Sequence, residues 1–130
     1  MLRMIIIAVL GVHGIGHSIG VAGGWAANAW GGSGSSWLLD GVLGRSVGMV
    51  EGLIWLLPAL GFVAAAVLLT GNSEAWRWVA VISAVASLLA IGLFPGQLPV
   101  GSTVAAVAVD LAVVVGLLLV RWPSIEALGA

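Results

Sequence analysis

The sequence predicts an all-α fold: an integral membrane four-helix bundle with spans at about 2–23, 48–70, 74–94 and 101–122. Two observations carry this reading. Hydrophobic residues make up 62% of the chain and charged residues only 7%, whereas a soluble domain covers its surface with about 25% charged residues. The apolar residues also fall into four runs, each near the roughly 20 residues that cross a bilayer. Glycine, serine and proline punctuate the intervals between them. The 130 residues read as one domain with a single long connection, a Gly/Ser/Trp-rich loop at about 24–47.

The first span contains Arg3, an apolar run and small residues around Ala22-Gly23, an order shared with secretory signals. It is expected to be retained as a membrane helix. Gly16, Gly20 and Gly24 recur every fourth residue, a smooth stripe where another helix can approach. Gly14-Ile15-Gly16 follows no strand, so it makes a poor phosphate-binding loop.

In the loop, Trp25, Trp30 and Trp37 are suited to the headgroup level. Gly31 to Ser36 is flexible by composition. Trp37 to Leu43 suits a short surface helix, and the segment reads either as a lid over the histidine end or as a plain interfacial connector.

Glu51 opens the second span and Pro58 interrupts its hydrogen bonding, which predicts a kink. Trp55 lies one turn from Glu51 on the same face. Gly71-Asn72-Ser73 is a tight turn in which Ser73 is placed to cap the third span. Trp76 and Trp78 anchor that span's first turns, and Ser83 and Ser87 sit one turn apart within it. Pro95 to Pro99 is a second short connector. The fourth span carries Asp110 near its middle and stops at Pro123.

Four spans place both termini on one side. Arg3, Arg77 and Arg121 then share that side and Arg45 takes the other, so the positive-inside rule makes the termini cytoplasmic. The expected location is a bacterial inner membrane.

Composition also excludes partners. The net charge is −1 and there is no lysine, so no basic surface for nucleic acid exists. The absence of cysteine removes disulfides and thiolate metal sites. The remaining partners are the lipid bilayer and a second copy or another membrane subunit, because so short a chain of apolar helix buries little alone.

The two histidines of the chain, His13 and His17, stand at i, i+4 on one face of the first span. Ionisable groups are costly inside a bilayer and mark function by default. At 1.5 Å per residue, His17 lies roughly 8 Å from the outer end of its helix and His13 roughly 14 Å. Asp110 lies roughly 13 Å and Glu51 roughly 5 Å inward from the outer ends of theirs. Ser87 falls between the two levels. Asp110 with His13, and Glu51 with His17, are therefore the expected pairings, with Arg45 able to reach Glu51.

Three chemistries fit this set. His13, His17, Glu51 and Asp110 are ligand types for zinc or non-haem iron. His-Gly-Ile-Gly-His lacks the glutamate of zinc proteases, so peptide hydrolysis does not follow. Haem requires another axial ligand or two chains, because one helix face cannot present both imidazoles to opposite sides of a macrocycle. A second reading is a quinone or proton-relay site, lined by the same residues with Trp55 and Ser87. A third is a structural or accessory subunit whose cluster serves only interhelical hydrogen bonding.

The pattern His13-Gly14-Ile15-Gly16-His17-Ser18-Ile19-Gly20, with Gly48 to Leu60, Trp76, Trp78 and Asp110, resembles a group of small bacterial four-helix membrane proteins. Their first helix carries His-Gly-x-x-His-x-x-Gly. Their second helix carries Gly-x-x-x-Gly-Leu-x-Trp-Leu-Leu-x-Ala-Leu. The resemblance implies the four-span topology and the importance of both histidines, and it implies no activity. Glu51 and the long glycine-serine loop depart from the group's pattern.

Overall fold

The computed structural model describes residues 1–26, 34–124 and 126–129, and its described regular structure is helical. Six α-helices follow in order: α1 (Leu2–Gly16), α2 (Ser18–Trp25), α3 (Asp40–Leu43), α4 (Val47–Thr70), α5 (Trp76–Leu93) and α6 (Val100–Val114). They make up four stretches long and apolar enough to cross a membrane: Leu2–Trp25, Asp40–Thr70, Trp76–Leu93 and Val100–Leu119. Trp30 and the first half of the glycine-serine stretch, residues 31–33, lie outside the described residues.

The first stretch is one helix with a tightened turn at its histidines. His17 joins α1 to α2 with helical backbone angles. Its N–H is shared between the carbonyls of His13 and Gly14, at 3.3 and 3.2 Å, a local step toward 3₁₀ geometry. The buried positions accordingly run Leu10, Gly14, His17, Gly20, Gly23. This corrects the expected stripe. Gly20 and Gly24 do face α4, but a Cβ on Gly16 would meet nothing within 4 Å, whereas one on Gly14 would lie 2.9 Å from the Ala59 carbonyl oxygen. The three-residue step at His17 moves Gly16 off the contact face.

α4 is the central helix. It packs against α1 and α2 on one side and α5 on the other, and α5 carries α6. Glu51, Trp55, Pro58, Ala59, Phe62, Ala65, Ala66 and Leu69 form its buried face, a helical spacing of three and four. The helix is continuous through Pro58.

Three element ends differ from expectation. The helix expected over Trp37–Leu43 shortens to Asp40–Leu43, because Ser36 closes a turn first: the Leu39 N–H donates to its Oγ at 3.2 Å. Ser73 caps nothing with its side chain; its carbonyl accepts the Trp76 N–H at 3.2 Å, and α5 starts there. The last span closes at Leu119 in a π-turn rather than at Trp122, with the Val120 N–H bonded to the Val115 carbonyl at 3.0 Å.

The two ends of the bundle are chemically distinct. At the terminal end, Arg3 donates to the carbonyls of Leu69 and Thr70 at 2.7 and 2.5 Å, and Arg77 donates to the Pro123 carbonyl. A guanidinium on the last carbonyls of α4 also complements its dipole. At the loop end, Trp37 donates to the Gly92 carbonyl at 2.8 Å and Gly34 donates to Gln97 Oε1 at 3.2 Å. The core on the terminal side is apolar, built from Leu10, Phe62, Leu69, Trp76 and alanines of α4 and α5. The bundle's outside is apolar as well: Val12, Ile15, Leu57 and Leu119 are each more than 60% exposed.

Candidate metal centre

Helix α6 buries only Ala106 and Asp110, one turn apart. That turn presses Asp110 into the bundle, where it is fully buried. A carboxylate there requires partners, and it has two. Oδ1 lies 2.8 Å from His13 Nε2. Oδ2 accepts the Ser87 hydroxyl at 2.5 Å. The expected Asp110–His13 pairing is therefore present, and Ser87 holds the second oxygen from α5.

His17 stands over this pair. The two imidazoles lie edge to face with centroids 4.6 Å apart. Phe62 closes the apolar side, 4.6 Å from the His13 ring and 5.8 Å from the His17 ring. Trp55 flanks His17 at 5.6 Å and packs on Gly20, where any Cβ would collide with its indole. His17 Nε2 is buried without a hydrogen-bond partner. One ligand atom each from His13, His17 and Asp110 lie within 4.8 Å of one another.

Two imidazoles and one carboxylate are donor types that could hold a metal ion. Bonds of about 2.0–2.2 Å to zinc place neighbouring ligand atoms about 3.3–3.6 Å apart. The three atoms need adjustments of only about 1 Å to meet one ion, leaving a position open for water or substrate. Ser87 orients the Asp110 carboxylate from α5, as outer partners of a ligating carboxylate do. Both imidazoles are too close together to sandwich a haem.

Glu51 is placed otherwise. It is fully buried, but neither carboxylate oxygen has a partner. It does not bond His17, and it stands outside the three-residue cluster. Depth is one coordinate only, and the Trp55 indole occupies the space beside His17. Arg45 is exposed, and the one ion pair among the described residues is His13–Asp110. Ser83, by contrast, bonds back to the Val79 carbonyl at 2.7 Å, the local role expected of a helical serine.

Two participants are absent from the sequence reading. Phe62 shares the helix face of Glu51 and Trp55 at offsets of eleven and seven, so the period of α4 pointed to it. Gln97 sits in the short connector before α6 and is buried against Gly23; a glutamine between two prolines carried no periodic signal.

A cleft of about 280 Å³ separates α1 from α6 on the terminal side, lined by apolar residues including Val9 and Val109. None of the six candidate residues lines it.

No family model matches the chain, and no curated protein or solved structure matches it.

Proposed function

We propose that the chain is a four-span integral membrane protein that binds one divalent transition-metal ion, of the zinc or ferrous class, through His13, His17 and Asp110. The observation that carries the reading is the convergence of three ligand atoms within 4.8 Å. His17 favours a bound ion over a purely structural cluster. Asp110 and His13 satisfy one another, but a hydrogen-bonding role leaves His17 Nε2 with no partner, at a cost of about 1–3 kcal/mol. A cation supplies that partner. Its charge also offsets the burial of Asp110, and the apolar ring of Phe62 beside both imidazoles strengthens the attraction.

The three arginines of the terminal end favour a cytoplasmic placement of that end. The metal then lies in the half of the bilayer nearer the opposite face. Glu51 is not a ligand in this reading.

Zinc titration calorimetry on the detergent-purified protein tests the proposal. The expected stoichiometry is one ion per chain. Replacing His17 by Ala is expected to weaken binding more than about 100-fold, beyond the 10- to 100-fold of an outer-partner change. No zinc binding by the intact protein overturns the reading.

A further inference from the structure

Among the described residues, the buried side-chain polar atoms without a hydrogen-bond partner lie on one side of the metal centre only. From Phe62 toward the terminal end, the buried cluster is apolar. Toward the loop end the interior holds Glu51, Trp55, Gln97 and His17, each at least nine-tenths buried. Each also presents a side-chain atom with no hydrogen-bond partner: both oxygens of Glu51, Trp55 Nε1, Gln97 Nε2 and His17 Nε2.

The residues that carry these atoms follow one another from the loop end to His13. Gly34, at the loop, donates to Gln97, and a Cβ on it would lie 3.9 Å from Glu51 Oε2. Glu51 precedes Trp55 by one turn of α4, about 6 Å along the axis. Trp55 flanks His17, and His17 flanks His13. α2 makes room for the series with glycines: Gly20 admits Trp55 and Gly23 admits Gln97. An apolar interior would not keep so many unmet donors and acceptors side by side.

We propose that Glu51 heads a one-sided, buried polar path along which a divalent cation reaches His13, His17 and Asp110 from the loop end. This rests on the metal reading above and adds a role for Glu51 distinct from ligation. The carboxylate offsets the cost of bringing a doubly charged ion under the loop. The path ends at Phe62, so the protein takes up the ion and does not conduct it.

Stopped-flow binding of cobalt(II), followed by its visible absorption, is the test. It uses the detergent-solubilised chain at low salt, with equilibrium affinity measured in parallel. Glu51→Gln is expected to slow association about tenfold, within the range of electrostatic steering, while changing the equilibrium affinity less than about threefold and raising no salt dependence of its own. Glu51→Asp, which keeps the charge, is expected to retain the wild-type rate within about threefold, and it answers the question if the glutamine variant does not fold. An unchanged rate in Glu51→Gln overturns the path. So does a large loss of affinity with faster dissociation, which makes Glu51 a ligand. Absence of cobalt binding by the unaltered chain overturns the path together with the metal reading, whereas the first two outcomes leave that reading standing.

Discussion

Asp110 and His13 are 97 positions apart in the chain and 2.8 Å apart in the fold. This contact joins the last span to the first across a bundle in which α6 otherwise packs on α5. The same carboxylate is fixed from α5 by Ser87. Three helices thus converge on one side chain.

Removing the Ser87 hydroxyl frees Asp110 Oδ2. Ser87→Ala is expected to cost about 1–3 kcal/mol of stability, because a buried acceptor loses its donor. Zinc affinity is expected to fall about 10- to 100-fold. Unfolding in detergent and zinc calorimetry read the two effects separately.

Asp110→Asn keeps the size of the side chain and removes its charge. Zinc binding is expected to weaken more than about 100-fold, beyond the range for outer partners. The far-ultraviolet circular dichroism is expected to remain helical. A variant that binds zinc as the natural chain does contradicts the assignment of Asp110.

The glycines of α1 divide into those that touch α4 and those that do not. A methyl group on Gly14 would press on the Ala59 carbonyl at 2.9 Å and on Phe62 and Val63 at 3.0 Å. Gly14→Ala is expected to destabilise the bundle by about 1–3 kcal/mol. Gly16→Ala meets open space and is expected to be neutral or stabilising by up to about 1 kcal/mol. Melting temperatures in detergent check the contrast.

The fold was legible in the sequence because bilayer thickness imposes its own length on apolar runs. The four runs lie within a few residues of α1 with α2, of α4, of α5 and of α6 with its π-turn, and axial rise alone matches Asp110 to His13. Rotation was not legible. Gly16 and Gly14 look equally suited to a contact stripe until the tightened turn at His17 selects Gly14. Glu51 and His17 share a depth, yet neither carboxylate oxygen of Glu51 has a hydrogen-bond partner and the indole of Trp55 flanks His17 instead. Arg3 gave no sign that it would cap α4, since that contact spans 66 positions and depends on where another helix ends.

Sidedness can be read with single cysteines, because the chain has none of its own. Ser35→Cys, in the exposed part of the loop, is expected to react with a membrane-impermeant maleimide in intact cells. Glu126→Cys, near the other end of the chain, is expected to react only after permeabilisation. The reverse pattern contradicts the orientation drawn from the arginines.

X-ray absorption of the zinc-loaded protein tests the metal centre most directly. The account predicts nitrogen and oxygen neighbours at about 2.0–2.2 Å with the outer-shell scattering of two imidazoles, reduced to one in His17→Ala. A spectrum without imidazole scattering, or one unchanged by that substitution, would contradict it.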